Sequence, residues 1–129
     1  MPVLLGEKDD YTGAQPCIDL AEHFRAAGVQ VDVKVYPGAG HGFDGKDSLT
    51  TTTRISTAVS AMDCRYWLES NGSFSVGKKN FGQEDPGLLQ ELIRTCLRRG
   101  ATVFTQAAAK AQSSQDFVAF LQRTITTKK

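Results

Sequence analysis

Residues 29–44 read Val-Gln-Val-Asp-Val-Lys-Val-Tyr-Pro-Gly-Ala-Gly-His-Gly-Phe-Asp. Val29, Val31, Val33 and Val35 alternate with Gln30, Asp32, Lys34 and Tyr36. Period-two alternation of β-branched residues predicts a half-buried strand. Pro37-Gly38-Ala39-Gly40 stops it, since neither Pro nor a run of Gly continues a ladder. Upstream, Pro2-Val3-Leu4-Leu5 is a short unbroken apolar run, the pattern of a strand covered on both faces of a parallel sheet. Between the two, Ile18, Ala21, Phe24 and Ala27, with Leu20 beside them, recur at helical spacing over about 14–27. Pro16 near the start and Gly28 just past the end are the expected helix punctuation. Strand, helix and strand in this order form a βαβ unit with parallel strands and a right-handed crossover.

Downstream the pattern weakens. Residues 50–53 read as loop and 56–62 as a short helix. Arg65–Glu69 and Ser73–Val76 flank Asn71-Gly72, a strong hairpin signal, because a type I′ turn needs positive φ at both central residues. Asp85-Pro86-Gly87 opens a helix whose apolar stripe is Leu88, Leu89, Leu92, Ile93, Cys96 and Leu97. Gly100 is expected to end it, with Arg94, Arg98 and Arg99 in its last turns, where cations favour the dipole. A final helix is expected over 106–123, with Phe117, Val118, Phe120 and Leu121 toward the core and 124–129 frayed. The fold class is thus α/β: a βαβ unit over 1–45, then a hairpin and helical extension over 46–129. No repeat or linker interrupts it.

Composition narrows the function classes. The chain has 129 residues, 40% hydrophobic and 22% charged, enough for one domain and short for two. Fifteen Lys and Arg against fourteen Asp and Glu leave a net charge of +1, which argues against nucleic acid or an anionic membrane as partner. No apolar run approaches the ~18–20 residues that span a bilayer. The start, MPVLLGEKDD, lacks the basic and apolar regions of a signal peptide, so a soluble, cytoplasmic setting is the default. Cys17, Cys64 and Cys96 are odd in number and widely spaced, and read as small buried hydrophobes rather than a disulfide set. With only His23 and His41 beside them, no zinc site is expected.

The chemistry gathers at the carboxyl ends of the two parallel strands, where open α/β sheets place their sites. One loop carries Asp9 and Asp10, the other His41. Strands side by side bring a carboxylate to the imidazole, where it holds Nδ1–H and leaves the other nitrogen as a base. GEKDDYTGA at 6–14 followed by a helix, then VDVKVYPGAGHGFD at 31–44, resembles the dienelactone hydrolase family of the α/β-hydrolase superfamily, in its C-terminal part. DCRYWLESNGSFSVGKKNFG at 63–82 and CLRRGATV at 96–103 are similar to a C-terminal extension in some bacterial members. The resemblance implies a partial α/β-hydrolase sheet. It also implies that Asp9, in the family's GxxD position, is the triad acid, that His41, in its GAGHGF run, is the triad base, and that Asp10 is neither. The family often has Pro where this chain has Gly13, which would loosen the loop after the acid.

Chain order in that superfamily is nucleophile, acid, base. Residues 1–8 contain neither Ser nor Cys. Gly72–Gly77 has Ser75 two residues before a glycine, but Ser73 stands where a nucleophile elbow needs Gly. Cys17 begins a helix expected to pack beside the sheet. The implied function is therefore the acid–base portion of a carboxylic-ester hydrolase. It would act on a small ester or lactone, need no metal or organic cofactor, and be inactive without a nucleophile from elsewhere. The alternative is a non-enzymatic interaction module that self-associates, as a homo-oligomer, through exposed sheet edges. Glu7 and Lys8 read as a solvated pair, His23 as a surface residue, Tyr66 and Trp67 as hairpin packing, and the three arginines as a helix-end cap.

Overall fold

The computed structural model describes residues 1–46 and 52–126. Strand β1 (Pro2–Gly6), helix α1 (Ala14–Ala26) and strand β2 (Asp32–Tyr36) follow in order, and β1 pairs β2 in parallel from Pro2↔Asp32 to Gly6↔Tyr36. Gly13, at φ 75°, is the N-cap of α1, and Gly28, at φ 83°, follows its end. Both lie in left-handed backbone that glycine enters without a Cβ penalty. Proline, fixed near φ −65°, does not fit at Gly13. β1 is half-buried rather than covered on both faces, because the sheet has two strands. β2 starts at Asp32, three residues later than the alternation suggests, and Val29 and Val35 stay exposed.

The small core beneath this unit is Tyr36, Ala39, Phe43 and Ala109, with Leu4 packed against it. The Tyr36 and Phe43 rings meet at 5.3 Å, a pairing worth about 0.5–1.5 kcal/mol beyond the area buried. Ala109 comes from helix α3 (Ala107–Thr126), which lies against β1. Asp116 of α3 accepts from Lys34 Nζ at 2.6 Å and from the Tyr36 hydroxyl at 2.9 Å. Burial, and then the adjacent Asp116 carboxylate, push the Tyr36 phenol well up. The helix runs on to Thr126, past the expected start of fraying.

Between Lys46 and Phe104 the chain makes an excursion that closes on itself. Thr105 Oγ1 donates to the Lys46 carbonyl at 2.8 Å, Gln106 N to Phe43 O at 3.0 Å and Phe104 N to His41 O at 3.2 Å. Its stem is an antiparallel pair, β3 (Thr53–Ser60) with β7 (Arg98–Val103). Its head is the meander β4 (Tyr66–Leu68), β5 (Phe74–Val76) and β6 (Lys79–Phe81), with α2 (Pro86–Thr95) against β5.

Several expectations are corrected here. The short helix expected at 56–62 is instead the second half of strand β3 up to Ser60, and the loop expected at 50–53 already gives way to β3 at Thr53, with 50 and 51 outside the described residues. In the hairpin, Gly72 N bonds Glu69 O and Glu69 N bonds Ser73 O, with Gly72 at φ 82° and no positive φ at Asn71. This is a longer turn ending in a glycine bulge, not a two-residue type I′ turn. The Asp85 carboxylate caps α2 by accepting from Gly87 N at 2.8 Å, with Pro86 next to it, as the sequence suggests. However, α2 ends at Thr95, so Arg98 and Arg99 belong to β7 and only Arg94 lies in a last helical turn. Gly100 sits in β7 at φ 90°, where a Cβ would meet the Arg54 guanidinium at 2.4 Å. It makes room for a side chain rather than ending a helix. Cys64 and Cys96 form a disulfide, leaving Cys17 free. The pairing of Ser60 with Arg98 draws those two cysteines together, which spacing along the chain does not show. Among the described residues, no helix is long and apolar enough to cross a membrane.

Candidate functional site

The two strand-end loops are zipped together by backbone. Glu7 N donates to Tyr36 O at 3.1 Å and Lys8 N to Ala39 O at 2.7 Å. The Glu7 carboxylate accepts from Gly38 N at 2.7 Å, so Glu7 is a clamp between the loops rather than one of a solvated pair. The approach is close enough that a Cβ at Gly6 would lie 2.7 Å from the Ala39 carbonyl oxygen.

This clamp delivers Asp9 Oδ2 to 3.0 Å from His41 Nδ1, across 32 positions of sequence. The side chains are 13% and 31% exposed respectively. Asp9 is fixed by its own turn: Oδ1 accepts from Tyr11 N at 2.8 Å and Thr12 N at 2.9 Å, and Oδ2 from Thr12 Oγ1 at 2.7 Å. Burial pushes the Asp9 carboxyl up. The Thr12 hydroxyl and amide, then His41 and the Tyr11 amide, outweigh that push and hold it below its ordinary value. Asp9 therefore stays ionised, and an ionised carboxylate only accepts. The neutral imidazole must then carry its proton on Nδ1, leaving Nε2 with a bare lone pair. Among the described residues no hydrogen bond reaches that nitrogen.

The neighbouring carboxylate points elsewhere. Asp10 accepts from Thr102 N at 2.7 Å and Thr102 Oγ1 at 2.9 Å. Strand β7 thus holds one side of the acid loop, and its end holds the other loop: Phe104 N bonds His41 O, and Val103 bridges His41. The Phe104 ring lies over Gly40, where a Cβ would come within 2.3 Å of it. The Tyr11 ring meets the imidazole edge-on at 4.7 Å.

Sequence alone does not single out Thr12, Tyr11, Thr102 or Phe104. Thr12 had a local signal, since an Asp followed three residues later by Thr is a turn in which the carboxylate takes backbone donors. Thr102 and Phe104 had none, because they come from across the chain. Cys17 lies on α1, and the Ser75 hydroxyl donates to Glu69 on the hairpin; neither bonds His41. Of the three arginines, Arg94 pairs with Glu91, whose carboxyl is held at about 2 by Arg94 and Lys79, and Arg98 with Asp63. His23 is exposed. Among the described residues no group of three or more His, Cys, Asp and Glu could hold a metal ion.

Compared with known proteins, residues 1–74 of the chain match the sequence model of the dienelactone hydrolase family. Neither a curated protein nor a solved structure matches.

Proposed function

The chain belongs to the dienelactone hydrolase family, and on that premise we propose that Asp9 and His41 are the acid and base of a carboxylic-ester hydrolase. One observation carries this reading: Asp9 Oδ2 lies 3.0 Å from His41 Nδ1 while Nε2 is unbonded among the described residues. Nε2 would take the proton of a serine or cysteine nucleophile as it attacks the ester carbonyl. It would return that proton to the leaving alkoxide. Asp9 would hold the tautomer and stabilise the imidazolium formed in between. The mechanism calls on no metal or organic cofactor. The nucleophile and the oxyanion donors would come from outside this chain, within an α/β-hydrolase sheet that β1 and β2 help to complete. Triad members act as a unit, so residues 1–129 alone would not turn over.

The histidine tautomer tests this. Long-range 1H–15N spectra at neutral pH should show His41 protonated at Nδ1, shifting toward Nε2 protonation in Asp9→Asn. A His41 protonated at Nε2 in the native chain would end the reading. Turnover of p-nitrophenyl acetate that disappears in His41→Ala would end the claim that residues 1–129 alone are inactive.

A second reading, an interaction module that self-associates, is favoured by the two-stranded sheet, whose outer edges meet no strand among the described residues.

A further inference from the structure

A cleft of about 830 Å³ opens between α1 and the segment joining β3 to β4. On the α1 side it is walled by Pro16 and Leu20, and opposite by Val59, Met62, Trp67 and Leu68. Tyr11 and Thr12 also line it. Trp67 is 64% exposed and Leu68 65%, and with Tyr66 they make three consecutive apolar residues facing water. Soluble domains rarely leave such a run uncovered without a use for it.

We propose that this cleft seats the neutral aromatic group of the ester whose carbonyl is presented to His41, a proposal that rests on the acid–base reading above. Three observations choose the occupant. The volume lies within the roughly 300–1,000 Å³ of small-molecule sites, and the surface is concave, whereas a protein partner needs a broad face of ~800 Å². The rim carries one anion, Asp19, and one cation, Arg65, so it offers no preference for a charged ligand; Arg65 also bends back onto the Met62 and Cys64 carbonyls at 3.4 and 3.3 Å. Tyr11, Tyr66 and Trp67 supply ring faces on which a flat group stacks.

Tyr11 makes the link to the reacting end. It lines the cleft, its ring touches His41 at 4.7 Å, its amide bonds Asp9, and its carbonyl accepts from the buried Ser60 hydroxyl at 2.6 Å. A ring stacked in the cleft is therefore one side chain from the imidazole. The excursion builds one wall and the βαβ unit the other, so both parts of the chain shape the occupant.

The test is binding of N-(2-naphthyl)acetamide, an amide that mimics an aryl ester without being cleaved. The chain has one tryptophan, so a single indole N–H peak reports the cleft. A saturable shift of the Trp67 indole and of the His41 ring nitrogens is expected. Leu20 is already exposed, so Leu20→Glu should keep the fold and weaken binding at least tenfold; Met62→Glu serves as an independent second variant. N-butylacetamide should bind at least tenfold more weakly. The proposal is overturned by absence of a shift, by shifts at Trp67 without His41, by unaltered affinity in both variants, or by equal binding of the butyl amide. Peaks that move in the same way when the chain alone is concentrated would assign the cleft to a second copy and also overturn it. The tautomer of His41 without ligand is read in the same spectra, so failure of the acid–base reading is seen separately.

Discussion

Asp10 grips Thr102, 92 residues away in sequence, with both carboxylate oxygens. This contact turns Asp10 away from His41, leaving Asp9 as the carboxylate that meets the imidazole, and fastens the excursion to the acid loop. Thr102→Val removes the hydroxyl bond and keeps the amide one, at a cost of about 1 kcal/mol. Asp10→Ala removes both acceptors. Because Asp10 is 42% exposed at its side chain, water partly replaces them and the cost should stay near 1–2 kcal/mol. Urea unfolding of the two variants reads the order. If Asp10→Ala proves neutral, the contact does not hold the loop.

The Asp9 turn gives a pH prediction with a definite sign. Its carboxyl is held below the ordinary value of 3.8. The stability it contributes is full above that value and disappears as pH falls through the lower native one. Thr12→Ala removes the hydroxyl bond, so the Asp9 midpoint in a 13C carboxyl titration should rise and acid unfolding should begin at higher pH. An unmoved midpoint would show that the backbone donors suffice.

Gly6 and Gly28 separate two uses of glycine. At Gly6 a Cβ meets the Ala39 oxygen at 2.7 Å and the Gly40 oxygen at 2.9 Å, and both are backbone atoms that cannot swing away. Gly6→Ala should cost about 1–3 kcal/mol as overpacking and push the two loops apart, weakening the Asp9–His41 bond. At Gly28 nothing lies within 4 Å but φ is +83°, so Gly28→Ala costs only the left-handed strain of about 1–2 kcal/mol. The His41 tautomer should change in the first variant and not in the second, even where their stabilities match.

These contrasts show what was legible. The βαβ unit could be read because Val29 to Val35 alternate and α1 is punctuated by Pro16 and Gly28, all local signals. The meeting of a loop carboxylate with His41 follows from that unit, since parallel strands leave their loops at one edge, whereas the choice of Asp9 over Asp10 rests on the family resemblance. β3 does carry a local signal, since Thr53, Ile55, Thr57 and Val59 are β-branched at every second position, but the polar residues between and around them blur it. β7 carried almost none, because Arg98-Arg99-Gly100 imitates the end of the preceding helix. The return of α3 to β1, and the grip of Thr102 on Asp10, are contacts between distant parts of the chain, and no window of sequence contains both partners.

The disulfide is the plainest case of a long-range pairing that spacing conceals, and it can be counted. Alkylation of the native chain should modify Cys17 alone, and reduction should expose Cys64 and Cys96 as well. The bond closes a loop of 32 residues that holds the meander and α2. Its loss should cost about 2–4 kcal/mol, read as a lower melting temperature in reductant. The meander should release first, since this bond and the β3–β7 stem tie it to the rest of the chain. Three reactive thiols in the native chain would contradict the pairing.

Self-association should depend on one edge more than the other. Along β2, Asp32 pairs with Arg123 and Lys34 with Asp116, charges that discourage a further strand. β1 is Pro-Val-Leu-Leu-Gly, with no charge to blunt it, and an uncharged apolar edge is a template for pairing. Leu4 packs into the core, and alternation turns Val3 to the opposite face. Val3 is only half-buried, so Val3→Lys should leave Leu4 in the core and oppose pairing along β1. Sedimentation velocity from micromolar to submillimolar chain should show growing oligomers in the native protein and monomers in Val3→Lys. A native chain that stays monomeric throughout would remove the interaction-module reading. It would leave the acid–base reading standing on the Asp9–His41 contact alone.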